Sequence, residues 1–390
     1  MSLAKLGVSG IAGPGRLRTV IRGMLVVLAW TVCATMARGQ QSGVLIGVVE
    51  ARAEEAQEFE SIHAPKYRTL WVATDANGKL GLLATIEELV VPRRDGFWHV
   101  GVKQVCEFNE DEDGGNERLS QRIWAAPVGK AGQVEVQQPC RRHKPADYAP
   151  PYGRAAGEKK ISQCGYLLTD IEFVSPELIS EREYEGQSED CEARGGRYSV
   201  FHHVQRYDSN EPVGFGQLLG PQAGAAYVKA MPEKAKDDND QECGEPFSGK
   251  DMEWRVGRSA GRWAAYMSQN VGYFGCSVDA LIRFRIPNAL TGESFVLSDW
   301  TAFYKIEKDL QDGHISPAGD LAVIVTKTEM KFYEVREKAP GKLLLTLPGS
   351  AIVMVQWATG GHVEDWTGQM KKIASEKLPG VVLKVKAVAK

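Results

Sequence analysis

Short apolar or alternating stretches separated by turn residues dominate the chain after residue 43. Residues 67–74 form one such stretch, and the turn after it carries Asn77-Gly78, a pair that tolerates positive φ. Most of these stretches have four to nine residues and are bounded by Gly, Pro, Asn or Asp, the pattern of β-strands. Further strands are predicted over 81–86, 97–105, 166–174, 197–207, 253–256, 262–267, 280–286, 301–306, 321–327, 330–335, 342–347 and 351–357. Helical periodicity is sustained best over 50–61 and 365–377, and both stretches are short.

Many short strands at roughly even spacing predict an all-β fold: a sandwich, a barrel or a propeller. About 350 residues divided by about 45–50 residues per four-stranded blade give six or seven propeller blades. The alternative is two or more packed β-sandwich-like domains. Residues 40–390 would form the propeller, with long insertions near 141–160 and 232–250. We expect the alternating strand 381–390 to pair with residues 44–49 and so close the fold.

One segment resembles a known blade. Residues 312–324 read DGHISPAGDLAVI, which is similar to the blade motif of TolB-type, WD-like β-propellers: Ser-Pro-Asp-Gly followed by an apolar strand. Ala318 replaces the usual Asp, and Pro317 and Gly319 suit a type I turn. The resemblance covers residues 312–361, one blade, and implies a propeller. Residues 173–177, FVSPE, are a weaker echo without the Gly.

The N-terminus has the features of a secretory signal peptide. Residues 1–23 contain four basic residues and no acid, and the 14 residues 24–37 are almost wholly apolar. As a helix these would span about 21 Å, less than the roughly 30 Å of a hydrocarbon core. We expect residues 1–39 to be removed before Gln40 and the protein to be exported, to the periplasm or the extracellular space. An uncleaved anchor, or a lipoprotein modified at Cys33, are the alternatives.

The charge of the mature chain limits its partners. Removing five basic residues with the signal leaves 42 basic and 50 acidic residues, a net charge of −8. That excludes a strongly basic nucleic-acid binder and favours neutral or cationic partners. No integral membrane span is predicted after cleavage.

Six cysteines remain after cleavage, and an even count in an exported chain predicts disulfides. Sequential pairing would close three loops of similar size, but fifteen connectivities are possible. Free buried thiols are the alternative. The candidates are Cys106, Cys140, Cys164, Cys191, Cys243 and Cys276.

Motifs of enzymatic chemistry are incomplete in this sequence. Residues 257–261, GRSAG, match the nucleophile-elbow pattern, but the alternating residues before them and the strand after them favour a hairpin. His202 and His203 are adjacent, so on a strand they point to opposite faces and do not share a metal ion. We expect one to be buried and hydrogen-bonded and the other exposed. No nucleotide-binding glycine motif occurs.

An acidic stretch could bind calcium. Residues 109–117, NEDEDGGNE, supply half of a calcium loop, but position 12 is Ser120 instead of Glu. A solvated acidic hairpin tip is the preferred interpretation, and no cofactor is predicted. The mature chain also has eight tryptophans, at 71, 98, 124, 254, 263, 300, 357 and 366, and we expect most to fill the β core.

No catalytic, cofactor or metal residue is therefore assigned. The sequence predicts an exported binding or scaffold protein for a protein, peptide or glycan, and leans against an enzyme. The alternative is a propeller-type hydrolase or lyase with catalytic residues on several loops. An acid pair with perturbed pKa values in one pocket would favour that alternative.

Overall fold

The computed structural model describes residues 42–51, 64–75, 77–111, 114–130, 161–188, 198–207, 211–232, 235–236, 242–244, 253–259, 261–270, 277–292 and 300–376. The predicted signal peptide, the insertion near 141–160, most of that near 232–250, most of the helix predicted at 50–61, and residues 381–390 lie outside these ranges. The fold is mostly β, and four of its sheets form a propeller-like ring.

Nineteen strands and five helices are described. The first nine strands are β1 (Ser42–Ala51), β2 (Lys66–Thr74), β3 (Leu80–Ile86), β4 (Leu89–Arg93), β5 (Gly96–Asp111), β6 (Gly114–Pro127), β7 (Ile161–Val174), β8 (Leu178–Ser188) and β9 (Tyr198–Arg206). Next come α1 (Phe215–Leu219), α2 (Pro221–Ala230), β10 (Ala235–Lys236), β11 (Glu242–Gly244), β12 (Trp254–Ser259), β13 (Arg262–Asn270), β14 (Ser277–Leu281), α3 (Asn288–Thr291) and α4 (Thr301–Ile306). The last are β15 (Asp312–Ile315), β16 (Leu321–Val325), β17 (Glu329–Arg336), β18 (Ala339–Pro348), β19 (Ile352–Thr359) and α5 (Gly361–Ser375).

The first sheet joins the two ends of the described chain in the order β19-β1-β2-β3. β1 pairs antiparallel with β19 from Ser42↔Thr359 onward and with β2 on its other edge. The expected pairing of residues 381–390 with residues 44–49 is therefore wrong, because both edges of β1 are already occupied. The N-terminal segment does close the fold, but its partner is β19.

The second sheet has six strands in the order β4-β5-β6-β7-β8-β9, and only its β6–β7 pair is parallel. It accounts for the error in the predicted blade number. All six strands from β4 to β9, which lie between residues 89 and 206 and have up to 16 residues each, belong to a single sheet. The length of the chain therefore divides among four sheets of unequal size, and the prediction of six or seven blades is wrong.

The two remaining sheets of the ring run β12-β13-β14 and β15-β16-β17-β18, and β10 and β11 form a small hairpin beside them. The TolB-like segment supplies β15 to β18. Its turn is held by the buried Ser316, whose Oγ accepts hydrogen bonds from the amides of Asp320 and Leu321. Ser42 Oγ donates to Asp320 Oδ1 at 2.6 Å, so this turn also fixes the start of β1.

In the part of the chain that the structure describes, apolar clusters fill the spaces between successive sheets. Sheet β19-β1-β2-β3 packs one face on the six-stranded sheet and α5, and its other face on sheet β15–β18. Another cluster packs strands β7, β8 and β9 against β12, β13 and the helices α1 and α2. Trp71, Trp254 and Trp263 are buried as expected for core tryptophans. Truncating one of them to Ala would cost about 3–5 kcal/mol.

Most predicted strands are confirmed, and the helix expected at 365–377 is α5. Residues 301–306, predicted as a strand, form the helix α4. Only Phe303 faces the core there, while Tyr304 and Ile306 are each 50% exposed. A six-residue pattern is too short to distinguish the period of a helix from that of a strand, so the packing of the single ring of Phe303 decides which of the two forms. Within the described ranges, no helix is long and apolar enough to cross a membrane.

Candidate functional site

The pentapeptide that matches the nucleophile elbow lies in a hairpin. Gly257, Arg258 and Ser259 end β12, and Ser259 pairs with Arg262 across a two-residue turn. The hairpin interpretation is therefore confirmed. Because neighbouring strand residues point to opposite faces, Ser259 points away from the ion pairs that Arg258 makes. Among the residues that the structure describes, none makes a hydrogen bond with the Ser259 side chain.

Arg258 instead connects the hairpin to the TolB-like blade. Its Nε donates to Asp312 Oδ2 at 2.6 Å and its Nη2 to Asp312 Oδ1 at 3.0 Å. The guanidinium also stacks on Trp263, 4.6 Å from the ring centre. Burial pulls the pKa of the Asp312 carboxyl upward, but the charge and hydrogen bond of His314 and those of Arg258 outweigh it and hold that pKa well below its usual range. The pKa of His314 is lowered, mainly by burial. This cluster of Arg258, Asp312 and His314 joins two sheets.

Trp300 packs against the same junction. Its indole ring lies over Gly261, at positive φ in the β12–β13 turn, and over Gly313 in β15. A Cβ atom at either glycine would collide with the ring. Both positions therefore need glycine for close packing, a role that explains the two glycines without any catalytic function.

The adjacent histidines lie on opposite faces of β9, as predicted, because His202 pairs with Arg182 and His203 with Glu181. The expectation that one of them is exposed is wrong: their side chains are 12% and 18% exposed. Each faces a carboxylate. His202 Nδ1 is 3.0 Å from Glu172 Oε2, and His203 Nε2 is 3.5 Å from Glu183 Oε2.

Three carboxylates follow one another on one face of β8. Glu181, Glu183 and Glu185, here called the β8 carboxylate row, are two residues apart and therefore about 6.6 Å apart along the strand. Glu181 is buried and accepts a hydrogen bond from Gln205 Nε2 at 3.1 Å. Glu185 is nearly half exposed and pairs with Arg118 Nη2 at 3.1 Å.

The row has perturbed proton affinities. Burial, and secondarily the charge of Glu183, raise the pKa of Glu181 to about 8. Burial and the charge of Glu185 also raise the pKa of Glu183, against the opposing charge of Arg118. The Glu181 carboxyl therefore carries a proton at neutral pH, because burial and the charge of Glu183 both disfavour its ionised form.

The opposite face of the same strands is balanced in charge. Arg182 Nη2 lies 3.5 Å from the buried Asp170 Oδ2, and its Nε lies 3.8 Å from Glu172 Oε1. Burial pulls the pKa of Glu172 upward, but the hydrogen bond and charge of His202, with the charges of Arg255 and Arg182, lower it below its ordinary value. On this face, basic and acidic side chains therefore alternate as neighbours.

The acidic stretch proposed for calcium forms a hairpin tip, with Asn109 paired to Asn116 and Asp111 to Gly114. Strands β5 and β6 flank it, not helices, but its side chains lie outside the described part of the structure. Within that part, no group of three His, Cys, Asp or Glu residues could hold a metal ion. The backbones at Cys106, Cys164 and Cys243 lie in strands, and all six cysteine side chains fall outside the described set, so their pairing stays a prediction.

The comparisons with known proteins leave the family open. No protein-family model matches the chain, and no curated protein is similar to it. Among solved structures, a member of the DUF3298 family from Bacteroides fragilis is similar over 49% of this chain and 90% of its own length. Its sequence identity is 10% and its TM-score 0.23, a likeness that supports no argument about fold or function.

Sequence reasoning assigned no role to the residues of the β8 carboxylate row. The signal was present, since Ser180-Glu-Arg-Glu-Tyr-Glu185 alternates acids with other residues at the period of a strand. The signal could not show that Glu181 is buried. That depends on Gln205 and on the neighbouring sheet, both brought close only by the fold.

Proposed function

We propose that this chain is an exported binding protein that recognises a cationic protein or peptide segment at the β8 carboxylate row. The observation that carries the proposal is the raised pKa of Glu181 and Glu183 in a row of three acids. Burial is the main cause of both raised pKa values and the charge of the neighbouring carboxylate is the second, and a positive group from a ligand would offset that second cause. The net charge of −8 expected for the mature chain favours the approach of such a ligand.

Linkage gives the proposal a measurable signature. A bound ammonium or guanidinium stabilises ionised Glu181, so binding lowers its pKa and releases a proton. The protonated form, present below a pH of about 8, binds the cation more weakly. Affinity should therefore increase as the pH rises toward 8, whereas a lysine ligand stays charged throughout that range because its pKa is about 10.4.

The test is titration calorimetry of the full-length protein with a Lys-rich peptide at pH 6, 7 and 8, and with a Glu-rich peptide of equal length. We expect binding of the Lys-rich peptide only, with proton release. Glu183→Gln should weaken it about tenfold, whereas Glu364→Gln, which removes an exposed acid on α5, should not. Equal affinities for the two peptides, or equal effects of the two variants, would refute the proposal.

A second function is favoured by the same acid pair. Glu181 protonated beside Glu183 has the composition of a general acid with a neighbouring carboxylate, as in many hydrolases and lyases of glycans. Fluorogenic glycosides and polyuronates assayed between pH 5 and 9 test this function. Glu181→Gln should abolish any turnover, and turnover that survives this change would exclude Glu181 as the acid.

A further inference from the structure

The six-stranded sheet brings residues from its two outermost strands together at one end. Arg93 is the last residue of β4, and Tyr207 directly follows β9, so each belongs to a different edge of that sheet. The Arg93 Cζ atom lies 4.1 Å from the centre of the Tyr207 ring and 4.6 Å from the centre of the Trp98 ring. The two rings are 6.0 Å apart and at 75° to each other. One guanidinium is therefore held against two aromatic rings where the edges of the sheet meet.

This guanidinium is held by rings and not by hydrogen-bond acceptors. Its Nε and Nη1 atoms are buried, and among the residues that the structure describes none accepts a hydrogen bond from either atom. Asp95 Oδ1 is 3.9 Å from Arg93 Nε, too far for a hydrogen bond, and it accepts one from Trp98 Nε1 at 3.1 Å instead. A charged donor without an acceptor is costly, so an oxygen atom that reached these N–H groups would be bound favourably.

The rings around Arg93 are fixed before any ligand arrives. Tyr207 Oη donates to the carbonyl oxygen of Ser175 at 2.7 Å, in the turn between β7 and β8. Ser175 Oγ accepts a hydrogen bond from the amide of Leu178 at 3.0 Å, which closes that turn. Because the indole of Trp98 is likewise held by Asp95, both rings are anchored, and little freedom is lost when an anion binds.

The charges around Arg93 select the kind of anion. Asp95 lies beside the guanidinium, and Glu177 Oε1 lies 3.8 Å from the Nε of Arg94, the next residue in the chain. A ligand with two or more negative charges would be repelled by both acids. A carboxylate carries a single charge, and its two oxygen atoms match the parallel N–H groups of a guanidinium.

We propose that Arg93, Trp98 and Tyr207 form a binding site for the single carboxylate group of a ligand. The carboxylate oxygens accept hydrogen bonds from the guanidinium, and Asp95, whose side chain is 62% exposed, moves away into solvent. The Arg93 side chain is itself 21% exposed, so a small anion can reach it from solvent. The site lies outside the β8 carboxylate row and takes a ligand of the opposite charge, so it adds an anionic group to what this chain recognises.

The test is an NMR titration of the full-length protein that follows the indole N–H signal of Trp98, identified by its loss in Trp98→Phe. Acetate and N-acetylalanine should shift this signal to saturation, because each carries a carboxylate, whereas N-acetylalanine amide at the same ionic strength should not. Tighter binding of N-acetylalanine than of acetate would identify a peptide chain end as the source of the carboxylate, and equal binding would identify a small organic acid. Equal shifts from the acid and its amide, or tighter binding of inorganic phosphate than of acetate, would overturn the proposal.

Matched variants assign the binding to Arg93. Arg93→Gln should weaken acetate binding by about tenfold or more, whereas Arg94→Gln, at a side chain that is 95% exposed, should change it by less than about twofold. Asp95→Asn keeps an acceptor for Trp98 but removes a competing negative charge, so it should strengthen acetate binding about threefold. Unchanged binding in Arg93→Gln contradicts the proposal. Weaker binding in Asp95→Asn contradicts it as well, and this second variant decides the matter if Arg93→Gln does not fold.

Discussion

The buried carboxyl of Glu181 should make the stability of this protein fall as the pH rises. Its pKa is about 8 in the folded chain, against an ordinary value of 4.5. Below pH 4.5 both folded and unfolded chains hold the proton, so the group has no effect. Between pH 4.5 and 8 only the folded chain holds it, and stability decreases by about 1.4 kcal/mol per pH unit. The full cost, reached above pH 8, is about 5 kcal/mol.

Glu181→Gln removes this dependence without removing the acceptor that binds Gln205. At pH 7 the variant should be about 3 kcal/mol more stable than the original chain, and at pH 5 only about 1 kcal/mol more stable. Urea unfolding at pH 5, 6, 7 and 8, followed by the fluorescence of the buried tryptophans, measures the difference. Glu364→Gln on α5 is the control, because that side chain is exposed. A stability difference that stays constant from pH 5 to 8 would refute the reasoning.

Four further outcomes are expected. Arg258→Met should lower the free energy of unfolding by about 3 kcal/mol, because it leaves the Asp312 carboxylate without its guanidinium partner. Ser259→Ala should change the free energy of unfolding by no more than about 0.5 kcal/mol, and urea unfolding measures both variants. Gly313→Ala should lower stability by about 2 kcal/mol in the same assay, since its methyl group collides with an indole ring. Sequencing of exported protein should begin near Gln40, and intact Met1 on soluble cytoplasmic protein would contradict export. Alkylation without reductant should label no cysteine of the mature chain, and two or more labels would exclude full pairing.

Local patterns were sufficient to predict most strands but not their grouping. The strands at 321–327, 330–335 and 342–347 were predictable because turn residues bound each one. The parallel pairing of β6 with β7 joins segments separated by more than 30 residues, and no local pattern records it. The number of blades depends on that pairing, which explains why length alone overestimated it.

The candidate site, too, could be predicted from the sequence only in part. That His202 and His203 face opposite ways follows from the period of a strand. Their partners do not follow, because Glu172 comes from β7 and Glu183 from β8, and the fold alone brings these strands beside β9. The burial of Glu181, on which the proposed function depends, is likewise a property of packed sheets and not of the sequence around it.

The pairing of β1 with β19 has a consequence for how this chain reaches its native state. β1 is apolar, lies in the interior of its sheet and precedes the other described strands in the chain, yet one of its two neighbours is the last of those strands. Until β19 has been synthesised, one edge of residues 42–50 therefore lacks its partner strand. Pairing between segments so distant in the chain slows folding and favours aggregation. For the export that we propose, this delay would be an advantage, because a chain that has not folded can still be translocated. Once β19 pairs with β1, unfolding from either end of the described chain must break the same strand pair.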